Sequence, residues 1–298
     1  MSKSDSSIPL VTIVMPTYNN ARYLPRAVQS VLDQTFSNWE LIIVDNFSTD
    51  ETLNVLRNYS DSRISVLQID NAGCIARSRN LAINSTKSEW LAFLDSDDYW
   101  YPNKLSSIFG QDTDEVDFFY HNLSTVDENS KIIDSIGVKS RNLKSPILKD
   151  LILNGNTIAT SSVVVRRKFV LEVGGMREKD DLVGIEDYNT WLQISVKTER
   201  YRLIPTFLGA YRKHSSNFSS FEDFKIPAAA IEEFLHLLTP AETKQLHMNF
   251  RYLNVRTRYV NRSFSSLKQD LLEVIRSGTT TQKLKALWML LSLTRTFR

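Results

Sequence analysis

Cysteine is nearly absent from this 298-residue chain. The one residue, Cys74, can form neither an internal disulfide nor a cysteine metal site, so a reducing cytosol is the expected compartment. Charge of one sign is lacking as well. The 36 Lys+Arg and 34 Asp+Glu leave a formal net charge of +2, which suits neither a nucleic-acid wrapper nor an acidic tail, and no nucleic-acid partner is expected. Long apolar runs are missing: Ala286–Leu293 falls far short of the ~20 residues that a membrane-spanning helix needs. The opening Met1-Ser-Lys-Ser-Asp-Ser-Ser7 has no basic region followed by an apolar one, so no signal peptide is read there. Glycine numbers only 9, and neither a glycine-lysine-serine phosphate loop nor a glycine-rich dinucleotide fingerprint occurs. Internal repeats and low-complexity tracts are absent too. What is there is ordinary: 42% hydrophobic and 23% charged residues exclude disorder, collagen and a disulfide scaffold, and leave enough chain for a large core.

Apolar and turn-forming segments alternate. Val11–Met15 reads as a buried strand that the turn formers Pro16-Thr-Tyr-Asn-Asn20 stop. Leu24, Ala27, Val28, Val31 and Leu32 then repeat at helical spacing, with Pro25 in a tolerant first turn. Leu41–Val44 is a second strand, and Ser48 with Glu51 reads as a capping box for a helix carrying Leu53 and Leu56. Ile64–Ile69, a helix over Asn80–Thr86 and Trp90–Leu94 complete a βαβαβαβ pattern, which predicts a parallel sheet covered on both faces. Beyond residue 110 the pattern loosens, with strands over Val116–Tyr120, Ser161–Val165 and Tyr201–Tyr211 and a helix opened by Glu186-Asp187. Trp191 falls on that helix's apolar face with Leu192 and Ile194 and reads as core.

Ligands of such sheets bind beyond the carboxyl ends of the strands. Those ends carry Tyr18-Asn19, Asp45-Asn46 and Asp95-Ser-Asp-Asp98, so three polar clusters are expected on one edge. Three carboxylates within one turn repel one another unless a hard cation neutralises them, which implies a magnesium or manganese site; an acidic turn capping the helix near Tyr101-Pro102 is the plainer reading. With so few protein ligands, substrate phosphates are expected to complete the metal shell. Tyr18 can stack a base, Asp45 and Asn46 can hydrogen-bond base or ribose, and Arg77 or Arg79 can pair with anionic groups. Tyr18 as a core-capping aromatic, and Asp45-Asn46 as a simple Asx turn, fit equally.

Five segments in order, Val14-Met-Pro-Thr-Tyr-Asn19, Val44-Asp-Asn-Phe-Ser-Thr-Asp50, Arg79-Asn80, Phe93-Leu-Asp-Ser-Asp-Asp98 and Glu186-Asp-Tyr-Asn-Thr-Trp-Leu192, resemble family 2 glycosyltransferases of the GT-A fold. The resemblance spans roughly residues 9 to 215. It implies that Pro16, Thr17, Tyr18 and Asn19 cradle the uracil and ribose of a UDP-sugar, with Tyr18 stacking, and that Asp45 and Asn46 reach the nucleoside, Asn46 replacing the family's second aspartate. It implies further that Arg79 lies near the base, with Arg77 a competitor, that Asp95 and Ser96 lie on the nucleotide side with Asp95 facing ribose and metal-bound water, and that Asp97 ligates Mn2+ or Mg2+. Asp187 matches the family's catalytic base. A positioned carboxylate is what an attacking sugar hydroxyl needs, since that hydroxyl must lose its proton in the transition state. A single displacement inverts the anomeric centre. His214 sits where many members carry a histidine near diphosphate or metal, although a structural hydrogen bond is the simpler role for a lone histidine. Ser161-Ser162 and Gly174-Gly175-Met176 resemble acceptor-side segments. The Gln-x-x-Arg-Trp motif of processive members is missing, so single-sugar transfer is expected.

Residues 1–220 are therefore expected to form a GT-A domain, with a nucleotide-sugar half over about 9–110 and an acceptor half over 111–220. Residues 221–298 read as a helical basic extension. From Arg251 onward ten cations (Arg251, Arg256, Arg258, Arg262, Lys268, Arg276, Lys283, Lys285, Arg295, Arg298) oppose only Asp270 and Glu273. The last helix, Lys283–Arg295, mixes flanking cations with Leu and Trp, as helices lying in a membrane interface do; a solvated basic face or a homodimer contact is the alternative. The expectation is a metal-dependent transferase that takes a UDP-sugar to a glycan or lipid-linked saccharide in polysaccharide or lipopolysaccharide synthesis, cytoplasmic or peripheral on the cytoplasmic face of the inner membrane. A polyprenyl-phosphate sugar synthase and a catalytically silent nucleotide-sugar-binding protein are the competing readings.

Overall fold

The computed structural model describes residues 8–133, 137–214, 228–260 and 267–296. In chain order the first half runs β1 (Val11–Thr17), α1 (Leu24–Leu32), β2 (Trp39–Asp45), α2 (Thr52–Leu56), β3 (Ile64–Gln68), α3 (Ile75–Ser85), β4 (Trp90–Phe93), β5 (Tyr99–Trp100) and α4 (Lys104–Phe109). There follow β6 (Phe118–Val126), α5 (Ile147–Asn154), β7 (Val164–Arg166), α6 (Arg167–Glu172), α7 (Glu186–Ser195) and β8 (Tyr201–Arg212). The helices α8 (Ala228–Ile231), α9 (Pro240–Val260), α10 (Leu267–Ser277) and α11 (Thr280–Thr296) complete the described chain.

All seven residues of β1 are buried, which explains their lack of a polar face: β1 lies inside the sheet, parallel to β2 on one side and β4 on the other. The strand order β3-β2-β1-β4-β7-β6-β8-β5 puts a topological switch between β1 and β4, because successive strands are laid down to one side of β1 and then to the other. A crevice opens at such a switch, beyond the carboxyl ends. Pro16 fits there because Val14 is the last residue of β1 paired with β4, so the donor a proline lacks is not required beyond it.

The parallel sheet expected from the alternation holds for β1 to β4 only. β7 pairs antiparallel with β4, β6 antiparallel with β7, and β5 antiparallel with β8, while β6 and β8 are parallel. Two local readings also change. The Ser48–Glu51 capping box does not form: α2 begins at Thr52 without a side-chain cap, because Ser48 turns instead to Asp45. The strand expected from Ser161 is a 3-10 turn over Thr160–Ser162, with β7 starting only at Val164, and this frees the Ser161 hydroxyl for another use.

Under the sheet, Leu24, Ala27, Val28 and Val31 of α1 pack with β1, β2 and β4 residues in one core. Trp191 is fully buried, with its ring edge-on to Phe93 and Phe118 at 5.6 and 5.0 Å, the core role expected of it. The chain divides into two compact units, Met1–Lys144 with Thr157–Asn217, and Ser145–Asn156 with Phe218–Arg298. The segment carrying α5 therefore groups with the C-terminal helices rather than with the sheet; the expected boundary at 220/221 lies outside the described residues. The second unit has its own core of Val255, Leu267, Leu271, Val274, Ala286 and Met289. Among the described residues no helix is long and apolar enough to cross a membrane.

Candidate active site

The three polar clusters meet at the carboxyl edge of the sheet, joined by hydrogen bonds. Asn19, in the left-handed region at φ 45°, accepts from the Thr49 amide through Oδ1 at 2.7 Å, and its own amide donates to Ser48 Oγ at 2.8 Å. The Asn46 amide donates to the Thr17 carbonyl, and Asn20 Nδ2 donates to Ser96 Oγ at 2.7 Å. Asn19 thus fastens the loop after β1 to the loop after β2. Beside it Tyr18 stands 56% exposed, with its ring free to meet a flat ligand. Thr17 Oγ1 is buried without a hydrogen-bond partner.

Asp45 is fully buried and accepts from Ser48 Oγ at 2.5 Å and from Gln68 Nε2 at 3.0 Å. Asn46 Oδ1 accepts from the Asn71 amide at 2.8 Å, which leaves its Nδ2 group and a second carbonyl lone pair for a ligand.

Arg79, expected near the base, is held by two carboxylates. It is 3% exposed, donating from Nη1 to Glu186 Oε1 at 2.6 Å and from Nη2 to Asp95 Oδ1 at 2.7 Å. Arg77 lies 3.5 Å from Glu178. Burial opposes the Arg79 charge, but the two carboxylates outweigh it and hold the guanidinium above its ordinary pKa. This arginine from α3 therefore joins the end of β4 to the start of α7.

The loop after β4 is anchored from both sides. The Asp95 amide donates to Ser161 Oγ, which donates to Asp98 Oδ2 at 2.6 Å; the Arg212 amide donates to Asp98 Oδ1 and Arg212 Nε to the Asp97 carbonyl, both at 2.9 Å. Burial pushes the Asp98 carboxyl well above its usual range, with Asp97 and Asp95 adding to the rise. Burial likewise raises Asp95, against the pull of Arg79. Asp97 alone of the three aspartates points a carboxylate at His214, whose Nε2 is 2.9 Å from Asp97 Oδ2. Of the expected metal set, Asp97 and His214 come together, whereas Asp95 turns to Arg79. Among the described residues no three His, Cys, Asp or Glu side chains gather into a metal-holding group. A carboxylate oxygen and an imidazole nitrogen this close still suit one shared cation, provided phosphate and water complete the shell.

Asp187, in the first turn of α7, accepts from Thr160 Oγ1 at 2.5 Å and from the Tyr188 amide at 2.6 Å. Burial pushes its pKa up to about 6, Glu186 adds to the rise, and Thr160 and Arg79 oppose it. At neutral pH it is ionised yet a better proton acceptor than an ordinary carboxylate. Glu186 is 4% exposed and spent on Arg79 and the Gly184 amide. Sequence reasoning assigned no role to Thr160, read Glu186 only as part of a helix start, and counted Asp98 only among the three clustered carboxylates. The arginine two residues before His214 was the one available signal for the anchor at Arg212.

Three comparisons bear on this site. The family model described as Glycosyl transferase family 2 matches residues 12–174. An Escherichia coli protein named UDP-Glc:alpha-D-GlcNAc-diphosphoundecaprenol beta-1,3-glucosyltransferase WfaP is 32% identical over 217 residues, covering 71% of this chain and 80% of that protein. A second E. coli protein of the same printed activity, WfgD, is 39% identical over 122 residues; the match covers 41% of this chain and about half (48%) of that relative. Among solved structures, Staphylococcus aureus TarS 1-349 in complex with UDP-GlcNAc superposes at a TM-score of 0.65 with 19% identity, over 89% of this chain and 80% of that one. The mannosyltransferase PcManGT of Pyrobaculum calidifontis, in complex with GDP-Man and Mn2+, superposes at 0.60 with 16% identity, over 97% and 81%.

Proposed function

The chain belongs to glycosyl transferase family 2 and is a glycosyltransferase, and from that premise we propose that it moves one sugar from a UDP-sugar to a hydroxyl of a lipid-linked saccharide, with inversion and with Asp187 as the base. Its fold is that of the GT-A enzymes, a mixed sheet between helices followed by a helical C-terminal region. The observation that most supports the reading is the Arg79 bridge. By clamping Asp95 at the donor-side loop and Glu186 beside Asp187, it makes one rigid unit of a nucleotide edge and a carboxylate of raised pKa.

The chemistry follows in one displacement. As the acceptor oxygen bonds to the anomeric carbon, its proton passes to Asp187; the bond from that carbon to the diphosphate oxygen breaks, and UDP leaves with the electron pair. Attack from the face opposite the leaving group turns an α-linked donor into a β-linked product. Asp97 and His214 would hold Mn2+ or Mg2+, whose charge stabilises the departing diphosphate. Tyr18 stacks the uracil, Asn46 and Thr17 hydrogen-bond the nucleoside, and the acceptor is a sugar on a lipid diphosphate of the kind that the names of WfaP and WfgD state.

Asp187→Asn separates the steps. It keeps the shape, with its oxygen accepting from the Tyr188 amide and its Nδ2 donating to a Thr160 hydroxyl that now accepts, but cannot take the proton, so transfer is expected to fall by about 10²–10⁴-fold while UDP binding is retained. Assays of transfer from UDP-sugars to a diphosphoundecaprenol-linked saccharide, paired with titration calorimetry of UDP, check both. Full transfer by the variant would contradict the base assignment and favour a phosphate nucleophile, which needs no such base.

A further inference from the structure

α11 carries two apolar faces. Ala286 and Met289 are buried in the core of the second unit, with Leu290 packed against it. Almost opposite, Leu284, Leu287, Trp288 and Leu291 are 64%, 43%, 65% and 54% exposed. Their spacing of i, i+3, i+4 and i+7 makes one stripe, about 100° wide at 3.6 residues per turn. Lys283 and Lys285 fall on its two borders by the same count, and α11 has no acidic residue. Trp288 lies edge-on to Tyr259 at 6.1 Å with its other surface uncovered. A helix apolar on its core face alone suits water; this one exposes a second apolar stripe where a soluble helix has polar residues.

The charge balance of the sequence that carries the stripe narrows the occupant. From Arg251 onward ten cations oppose two acids, and both acids are already engaged, Asp270 by Arg258 at 2.6 Å and Glu273 by Arg251. The surface that meets this face must supply anions at the borders and apolar matter at the centre. A second copy of the chain supplies the apolar matter but, across a two-fold axis, sets lysine borders against lysine borders. An anionic bilayer supplies both, and tryptophan is suited to its interface.

We propose that the Leu284–Leu287–Trp288–Leu291 face of α11 is a docking surface for anionic lipid bilayers, with the helix lying in the interface plane and Lys283 and Lys285 at headgroup level. The proposal goes beyond the transfer reaction and is tested without donor or acceptor, so either can fail alone.

Trp288 makes the test direct. The other four tryptophans, Trp39, Trp90, Trp100 and Trp191, are at most 2% exposed, so a change in intrinsic fluorescence on adding vesicles reports Trp288. Phosphatidylglycerol/phosphatidylcholine vesicles are expected to shift the emission to the blue and to pellet the full chain, less so as salt rises, and phosphatidylcholine alone to do neither. Trp288→Phe should remove the shift while pelleting persists. Lys283→Gln with Lys285→Gln should lower partitioning by about thirtyfold, near fivefold for each lysine. Leu287→Ser with Leu291→Ser, outside the buried core, should abolish pelleting with an unchanged melting transition. Absence of binding to anionic vesicles at low salt, binding unaltered by both double variants, or a dimer dispersed by the leucine variant without vesicle binding would each overturn the proposal.

Discussion

The Thr160 hydroxyl donates to the ionised form of Asp187, so it lowers a pKa that burial and Glu186 raise. Since the protonated carboxyl cannot take the attacking hydroxyl's proton, transfer should fall as pH drops through about 6, the value to which burial pushes Asp187. Thr160→Val removes a hydrogen bond to the charged form, and the acidic limb of the rate profile should move up by as much as about one pH unit, while the rate well above the limb changes less. A limb that stays in place would separate Thr160 from the base. At this scale the sequence disclosed the residue types but not their partners. Asp187, Asp97 and His214 were named as candidates through the family resemblance, and what the structure adds is their neighbours: Thr160 beside Asp187, and Asp97 beside His214. For Arg79, an arginine beside a nucleotide edge reads as a partner of anionic groups, and only the fold shows which carboxylates it pairs with, Asp95 after β4 and Glu186 of α7.

Between elements, the Arg79 bridge and the Ser161 hub do the positioning. Ser161 Oγ joins the Asp95 amide to Asp98, and its carbonyl accepts from Trp100 Nε1 at 2.8 Å, so a 3-10 turn fixes the loop after β4. Arg79→Met is expected to leave Glu186 buried without its partner. The loss should be about 3 kcal/mol, the low end for a broken buried pair, because the Asp95 side chain keeps 32% exposure. Urea unfolding checks it, and an unchanged midpoint would mean that the bridge is dispensable. β1, β2 and β4 were legible as apolar runs because both their faces are covered. The mixed half was not, since β7 has three residues and its antiparallel entry is set by pairing with β4 and β6, contacts distant in sequence. The capping box failed for a related reason: Ser48 had a competing acceptor in buried Asp45, and a buried carboxylate outweighs an exposed helix cap.

On the scale of the molecule, the sheet unit carries the polar edge and the second unit carries the cationic helices, with α5 recruited from within the chain, which composition could not foretell. On the functions proposed above, nucleotide chemistry falls to one unit and surface contact to the other, so ligand-induced stabilisation should depend on the first alone. A ligand that binds only the folded state raises its stability. The most direct measurement is thermal unfolding of the full chain with UDP, GDP, CMP or dTDP, each with manganese and with chelator, in parallel with Asp97→Ala. UDP with manganese should raise the melting temperature most, chelator should diminish the rise, and the variant should lose the manganese-dependent part. A larger rise with another nucleotide, or the same rise with UDP in chelator and in Asp97→Ala, would contradict a metal-assisted UDP-sugar transferase.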